Sequence, residues 1–144
     1  MSHASYEFQI AISASGEQVW QAFLNQTNEW WLPDFRMISG DSVVTIDPVA
    51  GGSWQEVSSS GSLLWYTVAM ILPVERTVYF VGHLATDFGG PATTQLKISV
   101  LESNDGSLLS VADGITGNTS CAESLEGGWK QLFTDGLKPF VESI

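Results

Sequence analysis

The chain has 144 residues, 44% of them hydrophobic and 15% charged, enough apolar material to bury one core without disulfides or metals and too much for a disordered segment. Five Lys and Arg against sixteen Asp and Glu give a formal net charge of -11, which repels phosphate backbones and anionic lipid surfaces and argues against nucleic-acid binding. A single cysteine, Cys121, excludes an internal disulfide framework, and MSHASYEFQI lacks the basic segment and apolar run of a secretory leader. With no apolar run near the roughly 20 residues that span a bilayer, the expectation is a soluble cytoplasmic protein without membrane insertion.

Tyr6, Phe8, Ile10 and Ile12 alternate with Glu7, Gln9 and Ala11, the period of a half-buried strand. In SGEQVWQAFL, Ser15 followed by Gln18 has the form of a capping box, and Val19, Ala22 and Phe23 share one helical face. TNEWWLP predicts a second short helix that ends near Leu32, because Pro33 disfavours helical backbone in the residue before it. Six strands follow, expected over 42–47, 52–57, 63–72, 76–83, 93–102 and 107–115. The segments between them, DPVAGG, SSSG and NDG among them, are short turn formers that favour antiparallel neighbours. The strand LLWYTVAMIL is apolar on both faces. A homodimer burying the outer face would answer this, and so would a curled sheet with its edges covered by loops.

The last segment opens at Ser120 with Glu123 in capping-box spacing. It is amphipathic over about 22 residues, with Ala122, Leu125, Trp129, Leu132, Phe133, Gly136 and Phe140 on one side and Gln131, Thr134, Asp135, Lys138 and Glu142 on the other. Gly127 falls on the solvent side, but Gly136 thins the buried stripe. A missing side chain there either lets the sheet approach closely or leaves space for a guest. Pro139 removes one backbone hydrogen bond from the final turn. The predicted fold class is α+β: a seven-stranded curved antiparallel sheet wrapped around a long C-terminal helix, with two short helices between strands 1 and 2 closing one end.

In order and spacing, FQIAISASGEQVWQAFLN, Trp30-Trp31, DPVAGGSWQEV, LLWYTVAMILPVERTVYF and LEGGWKQLFTDGLKPFVE resemble the START-like, birch-pollen-allergen-like superfamily and its helix-grip fold over nearly the whole chain. Within that superfamily the chain most resembles the Hsp90-ATPase-activator homologue group. The resemblance implies an apolar small molecule held between sheet and long helix. It does not extend to the extra N-terminal domain with which eukaryotic activators engage the chaperone, so an Hsp90-type partner is not expected.

No Cys/His cluster has metal-ligand spacing, and neither a G-x-S-x-G elbow nor a phosphate-binding loop is present, so no metal or cofactor is expected. His83, at the end of a predicted strand, is a candidate general base whose bland alternative is a surface histidine. Asp113 shares the parity of Leu109 and Val111; an inward carboxylate there must be paired, protonated or wetted by a cavity. Glu126 has Lys130 four residues on and suits a pocket edge or an ordinary helix-face ion pair. Six tryptophans are many for one domain, and core filling accounts for some. Trp31, Trp54 and Trp129, with Leu132, Phe133, Gly136 and Phe140 of the helix, are the expected ligand contacts. The leading expectation is therefore a non-catalytic module for an apolar or aromatic small molecule. An enzyme of the cyclase or hydrolase type, using His83 or Asp113 in the same cavity, and a protein-interaction module are the alternatives.

Overall fold

The computed structural model describes residues 2–144. Strand β1 (His3–Ile12) turns Tyr6, Phe8, Ile10 and Ile12 inward and leaves Glu7 and Gln9 exposed, as strict alternation requires. Strands β2 (Val43–Ile46), β3 (Ser53–Ser58), β4 (Gly61–Leu72), β5 (Thr77–Leu84), β6 (Ala92–Ser103) and β7 (Gly106–Gly117) lie close to their expected limits. They form one seven-stranded sheet in the order β1-β7-β6-β5-β4-β3-β2, each neighbouring pair antiparallel. Among the described residues no helix is long and apolar enough to cross a membrane.

Helices α1 (Gly16–Asn25) and α2 (Thr27–Trp30) close one end of the inner face. The capping box forms as expected: the Gln18 amide donates to Ser15 Oγ at 3.1 Å, and the Ser15 amide donates to Gln18 Oε1 at 3.1 Å. Trp30 Nε1–H donates to the Ala22 carbonyl at 2.9 Å, tying α2 onto α1. Arg76 bridges Glu17 of α1 at 3.2 Å and Glu102 of β6 at 3.1 Å, an exposed link rather than a ligand anchor.

The two-faced apolar strand β4 is explained by two bulges. The register slips opposite Trp54/Gln55 and again between Val68 and Met70, and an extra residue at each slip changes which parity faces inward. Tyr66 and Val68 are thereby buried from one row, while Trp65 and Ile71 pack on the core from the other. What stays outside is the smaller remainder Leu64, Met70 and Leu72.

The C-terminal helix is continuous but not uniform. It comprises α3 (Ala122–Leu132), a π turn (Phe133–Leu137) and α4 (Lys138–Glu142). The expected Ser120/Glu123 capping box does not form. Asn118 instead accepts from the Ser120 amide at 3.1 Å and caps a 3-10 turn over Thr119–Cys121 that feeds the helix. In the π turn the Lys138 amide reaches back to the Phe133 carbonyl, five residues away, one residue before Pro139, which has no N–H to offer.

Gly136 sits inside this wide turn, and a Cβ there would collide with the Trp30 backbone carbonyl oxygen. Of the two expectations for Gly136, close approach is the one the structure shows. The neighbour is α2 rather than the sheet, and the site leaves no space for a guest. Gly136→Ala is therefore expected to cost on the order of 2–3 kcal/mol, because the opposing atom is backbone and cannot turn aside. Gly127 has open space around its missing Cβ, so Gly127→Ala should be neutral or stabilising by up to about 1 kcal/mol. Urea unfolding midpoints of the two variants measure both; equal effects would contradict the assigned contact.

Candidate functional site

The inner face divides by chemistry along the sheet. Leu96, Ile98 and Val100 of β6, Leu109 and Val111 of β7, and Val78 and Phe80 of β5 belong to the main core, with Phe23, Trp30, Trp54 and Phe133 above them. Ala92, Ile115 and Cys121 form a second small apolar cluster at the other end, against which Leu84, Ala122 and Leu125 pack. Between the two clusters each strand carries a residue that is not aliphatic: Gly82 in β5, Thr94 in β6 and Asp113 in β7. Tyr6 of β1 lies directly opposite Asp113 in the register.

Gly82 allows the Tyr66 ring to lie across β5, since a Cβ at position 82 would stand 2.7 Å from that ring. The Tyr66 hydroxyl then accepts from Thr94 Oγ1 at 3.0 Å. The Tyr6 hydroxyl donates to Asp113 Oδ2 at 2.7 Å. Asp113 is only 4% exposed, and its Oδ1 has no hydrogen-bond partner among the described residues. Burial raises the Asp113 carboxyl to about 6, a rise that the Tyr6 hydroxyl and the nearby Gly114 and Gln95 amides only partly offset. Tyr6 and Tyr66 are both pushed above the usual phenol range, first by burial and then by the Asp113 charge.

The tryptophans divide in the same way. Trp30, Trp31 and Trp65 donate to the Ala22 carbonyl, the Phe35 carbonyl and Glu56 Oε1. Trp54 and Trp129 are buried too, yet among the described residues neither indole N–H makes a hydrogen bond of normal geometry, that of Trp129 only nearing the Tyr66 hydroxyl. Their rings lie 5.4 Å apart, and each lies against Tyr66, at 5.5 Å and 5.9 Å. An unpartnered buried donor or acceptor costs about 1–3 kcal/mol. Three such atoms, Asp113 Oδ1, Trp54 Nε1 and Trp129 Nε1, thus line one stretch of the interior beside Tyr66.

The helix above this stretch is buried less deeply at its start than at its end. Trp129, Leu132, Phe133, Gly136, Leu137 and Val141 are buried, but no residue from Ala122 to Gly128 is. Leu84, Phe88, Cys121, Ser124 and Leu125 line an open hollow of about 400 Å³ beside the first turns of α3. Glu126, on the same helix, pairs with Lys130 at 3.5 Å, an ordinary helix-face ion pair.

The structure brings most of the expected contacts together, with a different emphasis. Trp31, Trp54 and Trp129 do converge, Trp31 standing 5.8 Å and 6.4 Å from the other two. Leu132, Phe133 and Gly136 lie in the sealed half of the helix, and Phe140 is half-buried against the same core. His83 and Asp113 are not brought together. His83 is exposed on the outer face, 3.4 Å from Thr93 Oγ1, whereas Asp113 points inward. Tyr6, Tyr66 and Thr94 were missed; Gly82, inside an alternating strand, was the signal for the close approach. Glu56 is a structural carboxylate: burial alone would raise it, but the Ile38 and Met37 amides, Ser42 and Trp65 hold it below its usual range and fasten the 36–42 loop to β3.

No family model matches the chain, and no curated protein matches it in sequence. Solved structures do. Protein CV1439 from Chromobacterium violaceum is 20% identical with a TM-score of 0.70, over 96% of each chain. The allergen Ara h 8.0201 is 12% identical with a TM-score of 0.70, over 99% of this chain and 100% of its own. Norcoclaurine synthase from Thalictrum flavum, in complex with dopamine and hydroxybenzaldehyde, is 13% identical with a TM-score of 0.64, over 97% and 87%. The chain has the birch-pollen-allergen-like helix-grip fold.

The pH dependence of stability follows from Asp113. Its folded carboxyl holds a proton up to about pH 6, against an ordinary value of 3.8. The stability tied to that proton is full below about pH 4 and is lost as pH rises through about 6. Asp113→Asn should therefore be more stable than the parent at pH 7.5 by on the order of 2 kcal/mol and about equal to it near pH 4. Thermal unfolding at the two pH values measures this, and a variant less stable at pH 7.5 would show the carboxylate to be a structural partner instead.

Proposed function

We propose that the chain is a small-molecule binding module whose guest, aromatic or largely apolar, lies between the inner sheet face and the first two turns of α3. The observation that carries this reading is the group of three buried polar atoms without a hydrogen-bond partner among the described residues, Asp113 Oδ1, Trp54 Nε1 and Trp129 Nε1, beneath a stretch of helix that is at most half-buried. Sites of this kind are largely apolar with a few convergent polar groups. Trp54, Trp129 and Tyr66 supply flat walls, and the polar atoms supply orientation. The norcoclaurine synthase complex, a similar fold with two aromatic molecules bound, supports the ligand class. The proposed site residues are Trp31, Trp54, Trp129, Tyr66, Tyr6 and Asp113, with Leu125 at the entrance.

Membership of the Hsp90-activator homologue group, a cytoplasmic location and self-association through Leu64, Met70 and Leu72 are further parts of this reading, and a chaperone partner is not. A second reading is favoured by the Tyr6–Asp113 contact: a carboxyl near pH 6 bonded to a phenol can exchange a proton with a bound substrate, as a cyclase or hydrolase would need. His83 takes no part in it. A turnover rate with an inflection near pH 6 that disappears in Asp113→Asn would distinguish catalysis from binding.

Native mass spectrometry and tryptophan fluorescence against a panel of aromatic and lipid-like compounds test the binding reading. A member of the panel should bind and change the emission of Trp54 and Trp129. Leu125→Trp, which fills the entrance, should weaken that binding at least tenfold while shifting unfolding stability by less than about 1 kcal/mol. A panel without a single binder would remove the reading.

A further inference from the structure

The proposed site has a definite charge character. The chain has five Lys and Arg in all, and each is engaged away from the interior. Arg36 donates to Asn28 Oδ1 at 2.8 Å and to the Ser42 carbonyl at 2.6 Å. Arg76 bridges Glu17 and Glu102. Lys97 lies over the Tyr79 ring on the outer face, 5.5 Å from its centroid. Lys130 pairs with Glu126, and Lys138 with Glu142 and the Ala11 carbonyl. The two histidines, His3 and His83, are exposed on the outside.

Asp113 is thus a buried carboxylate with no cation of its own among the described residues. Among the described residues the groups near it carry no positive charge: the Tyr6 hydroxyl from β1, the Gly114 and Gln95 backbone amides, and Tyr66 from β4, with Glu126 beside Tyr6 and Cys121 beside Tyr66. Tyr6 satisfies Oδ2 only, while Oδ1 remains free. A buried carboxylate left in this way is costly unless something pairs with it. The aromatic faces beside it, Trp54, Trp129 and Tyr66, attract cations through their ring quadrupoles. The net charge of -11 draws cations and repels anions on approach.

We infer that the guest is an organic cation, an amine protonated at neutral pH on an aromatic or aliphatic body, whose ammonium group donates to Asp113 Oδ1 while its body lies against Trp54, Trp129 and Tyr66. This rests on the binding-module reading and narrows it. A neutral guest would leave the carboxylate uncompensated, and an anionic one would meet it with like charge. The amine stays charged throughout the range in which Asp113 titrates, so its affinity should follow ionisation of the carboxyl: low at pH 5, rising with pH and levelling off above about pH 6.

The test compares three probes of nearly equal shape, 2-phenylethylamine, 2-phenylethanol and 3-phenylpropionate, by calorimetry and tryptophan fluorescence. The amine is expected to bind at least tenfold tighter than the alcohol at pH 7.5, and the carboxylate not measurably. Asp113→Asn should lower amine affinity at least tenfold and remove the preference for the amine over the alcohol. The parent protein supplies a test that needs no variant: amine affinity should rise about tenfold from pH 5 to pH 7.5 while alcohol affinity stays flat. If the alcohol or the carboxylate binds as well as the amine, or the amine preference survives in Asp113→Asn, the inferred charge is wrong and the binding module stands. If none of the three binds, and the wider panel also yields nothing, the binding module itself falls with it.

Discussion

The contact between Gly136 and the Trp30 carbonyl sets the height of the C-terminal helix over the sheet. A helix normally keeps a side chain's width from any neighbouring backbone, and only glycine lets it come closer. Here the approach is made inside a π turn, where the backbone is already wide, and against α2, which the Trp30–Ala22 hydrogen bond holds on α1. The aromatic interior then fills in around the contact. Phe133 stacks on Trp129 at 5.5 Å, and Phe23 sits edge-on to both Trp54 and Phe133, arrangements worth about 0.5–1.5 kcal/mol each beyond the area they bury. One half of the helix is sealed as a result, and the other is left resting over a polar strip.

That strip works against stability. Gly82, Thr94 and Asp113 stand where three aliphatic residues would join the two apolar clusters into one core, and a carboxyl that must be held near pH 6 is a standing cost at neutral pH. Local choices that agree everywhere else in a fold and disagree in one place commonly mark the place where function is carried out. The same logic separates Trp30 and Trp65, whose indole N–H groups are partnered, from Trp54 and Trp129, which are buried without a partner against Tyr66.

Most of the architecture was legible in the chain because it is written in short-range periodicity. Alternation located the strands, Ser15 and Gln18 located the start of α1, and the long amphipathic stripe located the closing helix. Parity placed Asp113 inward and, applied equally to Val78 and Phe80, would also have placed His83 outward, separating the two candidates. What could not be read depends on partners distant in sequence. Tyr6 meets Asp113 only through the pairing of the first and last strands. The bulges that let both rows of β4 enter the core leave no mark in its composition. Gly136 signalled an unusual contact, but whether it made room or closed it depended on a carbonyl in α2.

Because the tight contact lies near one end, the closing helix behaves as a lever with its fulcrum at the Trp30 carbonyl. Leu125 lies 11 residues from Gly136, about 16 Å along the axis, so a tilt of only about 5° carries it through about 1.5 Å. A tilt of that size leaves the tightly held end almost in place. For the proposed guest, such a tilt would lift the first turns of the helix by about half the thickness of an aromatic ring while Gly136 stays against Trp30.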